Sequence, residues 1–188
     1  MTEKETEKIL GFLESNYPNT FKNHDAVMRK TLKGLWCDAF KFIPFELVRN
    51  AVTQIIISDK REFAPNIGQV MNRIADMVST DPAAESESAW NQVMNFIHNH
   101  PQDEYRDSYT VLPETIRRFM KVPDLIQLAN NTIEQNRNFE KPRFLKQYRD
   151  ALEQTREQAI GTGHLELIAD PEKIRALGLN VNEYLELS

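Results

Sequence analysis

Cysteine and glycine are the scarce residues of this 188-residue chain, with one and six copies, and no apolar run is long enough to cross a bilayer. The lone Cys37 excludes an intrachain disulfide and any zinc site built on several thiolates. Within Leu35-Trp36-Cys37-Asp38-Ala39-Phe40 it reads as a small core thiol, because no base stands beside it in sequence to make a thiolate. The glycines at 11, 34, 68, 161, 163 and 178 nowhere form a phosphate-cradling loop. Neither G-x-x-x-x-G-K-[ST] nor a strand-to-helix G-x-G-x-x-G is present, which excludes P-loop and Rossmann nucleotide sites. The opening Met1-Thr2-Glu3-Lys4-Glu5 is charged and lacks the apolar stretch of a secretory leader. The expectation is a cytoplasmic protein that is not an enzyme and has no cofactor, metal or membrane contact.

Positive charge is also in deficit, with 23 basic against 28 acidic residues and a net charge of −5. Affinity for nucleic acid comes from Lys and Arg, so this balance favours a protein partner and predicts weak or no direct DNA binding. The acidity is uneven. Residues 1–80 hold 11 basic and 10 acidic residues, 81–160 hold 10 and 13, and 161–188 hold 2 and 5.

What the chain has in quantity is helical patterning. Apolar residues recur at steps of three and four, and nine prolines mark helix starts and stops. The fold class is all-α. Thr2-x-x-Glu5 is a capping box for a first helix with Ile9, Phe12, Leu13 and Tyr17 inward. A second helix, 24–40, places Met28, Leu32, Leu35, Trp36 and Ala39 on one face. A third starts at Pro44 and ends at Ser58-Asp59-Lys60, and a fourth follows an N-cap at Asn66. These make a compact N-terminal bundle, residues 1–80. A second helical region, 81–160, holds a helix opened by Pro82, a polar loop over 98–110, two short helices at 113–120 and 123–130, and a strong helix over 140–157. Gly161-Thr162-Gly163 then breaks the helix and makes a flexible joint to a C-terminal tail, 161–188.

Few residues point to chemistry. His98-x-His100 lies near Asp103 and Glu104 but lacks metal-ligand spacing and a third ligand. Ser86 and Ser88 sit in a helix turn, not in a nucleophile elbow. Two sets remain. Arg117, Arg118 and Lys121 fall on one short helix, and Lys141, Arg143, Lys146 and Arg149 are interleaved with Phe139, Phe144 and Tyr148, a set that can follow a phosphate backbone and stack bases. The competing reading is a solvated helix face with the aromatics in the core. The tail residues Leu165, Leu167, Ile168, Ile174, Leu177, Leu179, Tyr184 and Leu185 either dock on a partner or pack back on the domain.

One stretch is more specific. Phe63-Ala64-Pro65-Asn66-Ile67-Gly68-Gln69-Val70 is preceded by Glu5-x-x-Lys8-Ile9-Leu10, by Asn16-Tyr17-Pro18-Asn19, by Leu35-Trp36-Cys37-Asp38-Ala39-Phe40 and by Ile57-Ser58-Asp59-Lys60. In this order the elements resemble the replicative helicase loader/inhibitor proteins of phages and prophages of Gram-positive bacteria. The resemblance covers residues 5–78 well and 84–156 more loosely, through Ala89-Trp90 and Leu112-Pro113. Ala64 stands where relatives often have proline. The resemblance implies an adaptor that binds a hexameric, DnaB-type replicative helicase, keeps it inactive and hands it to an origin-bound initiator. In that family a flexible C-terminal part engages the helicase, which assigns the contact here to the tail. The alternative reading is a DNA-binding replisome organiser acting through 113–149.

Overall fold

The computed structural model describes residues 1–58, 62–181 and 184. The expectations placed on Asp59, Lys60, Leu185 and the rest of 185–188 lie outside the described residues. Among the described residues the secondary structure is helical, with no strand, as the apolar periodicity predicts. The chain divides into two units: residues 1–79 with 156–188, and residues 80–155.

The first unit begins with α1 (Glu3–Asn16), a single turn α2 (Pro18–Phe21), α3 (Ala26–Ala39), α4 (Phe45–Ser58) and α5 (Ile67–Val78). The expected caps are present. The Glu5 carboxylate accepts from the Thr2 N–H at 2.7 Å, and the Thr2 hydroxyl accepts from the Glu5 N–H at 3.4 Å. Asn66 and Gln69 make the same reciprocal pair at 2.9 and 3.0 Å. These close backbone donors that the first helical turn leaves unpaired. The Phe63-Ala64-Pro65-Asn66 stretch is therefore a helix-entry device, fastened further by the Ala64 N–H on the Thr20 hydroxyl at 2.9 Å. Ile9, Leu13, Trp36, Phe40, Leu47, Val48, Val52, Val70 and Ile74 fill the core.

The C-terminal segment corrects the expected hinge. The last long helix, Lys141–Thr162, runs through Gly161 and Thr162 and stops only at Gly163, whose φ of +76° is the left-handed geometry that favours glycine at a helix C-terminus. The turn Leu165–Ile168 and the short helix Pro171–Ala176 then pack against α5. Leu165, Ile174 and Tyr184 join the core of the first unit. The Asp170 N–H donates to the Val78 carbonyl at 2.7 Å, and the Lys173 ammonium donates to the Ser79 carbonyl. Burying an aliphatic side chain contributes about 1.5–3 kcal/mol, so several such residues stay down when a neighbouring groove is open to them. Packing back is what occurs.

The second unit contains α6 (Pro82–Asn99), α7 (Tyr105–Ser108), α8 (Glu114–Phe119), α9 (Val122–Asn130), the short α10 (Ile133–Gln135) and the start of α11 (Lys141–Thr162). Its core is aromatic. Phe144 lies 5.4 Å from both Trp90 and Phe119, and Tyr148 lies 5.9 Å from Phe119 and Phe144. The stretch 98–110, expected as a polar loop, is folded around fully buried Tyr105, whose hydroxyl donates to the Ile97 carbonyl at 3.3 Å. The last helix also starts earlier than the pattern suggests. A wide π turn over Asn136–Glu140 links α10 to α11 without a break. Pro142 has no N–H to donate, and its ring would crowd the carbonyl four residues back, which the wider turn relieves. Buried Asn136 fastens that turn, donating to the Leu128 carbonyl at 2.8 Å and accepting from Asn131 at 3.1 Å.

Candidate functional site

In the first unit, exposed apolar residues stand on α3 as well as at Ile57 and Phe63. Arg29 pairs with Glu14 at 2.6 Å, and Lys33 reaches Glu3 and Glu7 at 3.0 Å, so one side of α3 is laced to α1. These contacts hold the Glu14 carboxyl below its ordinary range and the Lys33 ammonium above its own. Trp36 is the one residue of α3 that is fully buried. Met28 and Leu35, expected inward, are instead 54% and 56% exposed, and Val27 is 72% exposed. Phe12 on α1, also expected inward, is largely open to solvent.

The physical reason is helix geometry. Leu32, Trp36 and Ala39 make one stripe, while Met28 and Leu35, seven apart, make a second beside it. The main neighbour of α3, helix α1, lies over the first stripe and leaves Met28 and Leu35 exposed. The signal available in sequence was an apolar arc too wide for one contact. A cleft of about 330 Å³ between the two helices has Leu10, Gly11, Phe21 and Leu32 among its lining residues, with Arg29 and Glu14 also on it.

The tail residues expected to meet a partner are distributed otherwise. Leu165, Ile174 and Tyr184 are buried, Ile168, Leu177 and Leu179 are half-buried, and Leu167 alone of the described set is exposed. Most of the described apolar surface of the tail is therefore spent within the first unit. Burial also pushes the Tyr184 phenol well above its ordinary range, helped by the Glu166 carboxylate. Its hydroxyl has no hydrogen-bond partner among the described residues. Glu166 is held at 2.6 Å by His164, which stacks on Phe42.

The basic residues of the second unit fall into two groups. The Arg117 Nε donates to the Leu112 carbonyl at 2.9 Å, and the Lys121 ammonium to the Arg117 carbonyl at 2.7 Å. Arg118 pairs with Glu114 at 3.2 Å, and Lys141 with Glu87 at 2.7 Å. Those four are tied into their own surroundings. Arg143, Lys146 and Arg149 are exposed and join no ion pair among the described residues. Of the interleaved aromatics, Phe144 and Tyr148 are core residues, whereas Phe139 is 71% exposed.

Among the described residues, no group of three or more His, Cys, Asp or Glu is placed to hold a metal ion. His100 stacks on Phe96 and its Nδ1 lies 3.0 Å from the Phe96 carbonyl. Cys37 is half-buried. No helix among the described residues is long and apolar enough to cross a membrane.

Comparison with known proteins adds one match. Residues 1–71 match the family model for the N-terminal domain of the phage SPP1 helicase loader/inhibitor, which is the family that the opening residues resemble. No curated protein and no solved structure matches the chain.

Proposed function

We propose that this protein is a phage replication adaptor that binds a hexameric, DnaB-type replicative helicase in the bacterial cytoplasm, holds it inactive and assists its loading at an origin. The observation that carries the reading is the match of residues 1–71 to the N-terminal domain of the loader/inhibitor family, on a chain without a nucleotide-binding loop. A protein of this kind acts by binding alone. It shifts a helicase between states only by its differential affinity for them, so it prefers one nucleotide state or one opened form of the ring. An origin-bound initiator is the second partner, to which the helicase is handed.

The contact surface that suits this role is the outer face of α3. Val27, Met28 and Leu35 offer exposed apolar area inside the matched residues, on a helix joined to α1 by ion pairs. Apolar side chains on a fixed helix face are what a partner groove buries as anchors. The test is to mix the protein with the host replicative helicase and ATP at low salt. A co-migrating complex with lowered ATPase activity is expected. No complex under these conditions overturns the reading.

A further inference from the structure

The second unit carries a surface that the helicase reading does not use. Between residues 137 and 149 there are five basic residues (Arg137, Lys141, Arg143, Lys146 and Arg149) and one acidic residue, Glu140. In a chain of net charge −5 this is a local reversal of sign. Lys141 is neutralised by Glu87 at 2.7 Å. Arg143, Lys146 and Arg149 are not, and the Arg149 Nε, donating to the Leu145 carbonyl at 3.0 Å, leaves its terminal nitrogens free to face solvent.

Phe139 stands at the head of this run. Arg143 and Lys146, three apart on α11, are neighbours on one side of the helix, with Arg149 three residues further along and Phe139 in the π turn just before the helix. Phe139 is 71% exposed at the end of the π turn, while Phe144 and Tyr148 face inward. Such turns recur at functional positions in helices, and here buried Asn136 fastens this one in place. An exposed aromatic ring thus precedes three exposed cations that join no ion pair among the described residues. Charge complementarity calls for an anionic ligand, and the ring calls for one with a flat apolar face.

We propose that the Phe139–Arg143–Lys146–Arg149 face binds single-stranded nucleic acid. Phosphates lie along the three cations and one unpaired base stacks on Phe139. A duplex fits less well, because its bases are already stacked and are not offered to a side chain on a helix face. The footprint is short, since Asp150 and Glu153 follow at once and end the positive run. The acidic remainder of the chain keeps the affinity modest, with a dissociation constant on the order of 10–100 µM at low salt. This inference stands independently of the helicase reading.

The experiment is fluorescence anisotropy with the whole chain and labelled 20-mers of oligo-dT and oligo-rU, a duplex of equal length, and poly-glutamate as a competitor. Both single strands are expected to bind more tightly than the duplex; a preference between them identifies the source of the ligand. Three phosphate contacts at about 0.7 each predict a slope of log affinity against log salt near −2. Phe139→Ala is expected to weaken binding about tenfold or more. Arg143→Glu is expected to weaken it and flatten the salt slope, whereas Arg118→Glu, whose cation is already paired, changes it less than about twofold. Unchanged circular dichroism in the Phe139 and Arg143 variants separates lost contact from lost fold. The proposal is overturned by no binding at 50 mM salt (with about 100 µM protein), by tighter binding of the duplex, by indifference to Phe139→Ala and Arg143→Glu, or by equal loss in the Arg118 variant. Full displacement by poly-glutamate with no effect of Phe139→Ala assigns the face to an acidic protein instead.

Discussion

The two units use the same kinds of residue in opposite ways. The first ties Arg29 and Lys33 to acids of α1 and Arg156 to Asp76, and leaves the apolar Val27, Met28 and Leu35 outside. The second packs Trp90, Phe119 and Tyr148 around Phe144, pairs Arg118 and Lys141, and leaves Arg143, Lys146 and Arg149 in solvent without an ion pair among the described residues. Net charge and composition are properties of the chain, but the surface a partner meets depends on which residues each core has already consumed. One unit presents apolar surface suited to a protein, the other presents charge suited to a polyanion.

The largest expected effect is on the second core. Phe144→Ala removes a ring that touches Trp90, Phe119 and Tyr148 and is expected to cost about 3–5 kcal/mol, read from urea unfolding. Next, Leu165→Ala is expected to cost about 2–5 kcal/mol in the transition of the first unit. A change below about 0.5 kcal/mol there would return the C-terminal segment to a loose appendage and blur the contrast between the units. Asn66→Ala removes one side of a reciprocal cap and is expected to cost about 1 kcal/mol.

The smallest effect sharpens the acid side of the comparison. Hydrogen bonds from the Thr2 backbone and hydroxyl hold the Glu5 carboxyl below its ordinary value. A depressed carboxyl contributes stability above its unfolded pKa of 4.5 and loses it as pH falls through the lower folded value. Glu5→Gln is therefore expected to flatten the fall in stability of the first unit below about pH 4.5, checked by thermal melts from pH 7 to 3. An unchanged pH profile would mean the cap does not act in solution.

Much of this was legible in the sequence, for identifiable reasons. Caps are local, so Thr2-x-x-Glu5 and Asn66 could be placed from spacing alone. Partner choice between elements was not legible. Whether Met28 or Trp36 faces inward depends on where α1 lies, and whether Leu165 packs back depends on a groove beside α5. Glycine spacing misled at Gly161, since a helix tolerates glycine in its last turn and stops where φ turns positive, at Gly163. The π turn was invisible because no residue type announces it. Pro142 gave the nearest hint.

The same geometry sorts the seven basic candidates. Sequence spacing groups them together. The acids Glu87 and Glu114 and the carbonyls of Leu112 and Arg117 remove four of them, and only a folded chain brings those groups within reach.

The central claim is a helicase contact on α3, and its most direct test is the double variant Met28→Asp, Leu35→Asp. Both positions are largely exposed, so stability is expected to change by no more than about 0.5 kcal/mol per site, with unchanged circular dichroism. Burying two carboxylates in a formerly apolar contact is expected to weaken binding to the host replicative helicase at least about 100-fold. Wild-type protein should co-migrate with the helicase and lower its ATPase activity, while the double variant should do neither. A double variant that still binds and inhibits like wild type would contradict the account.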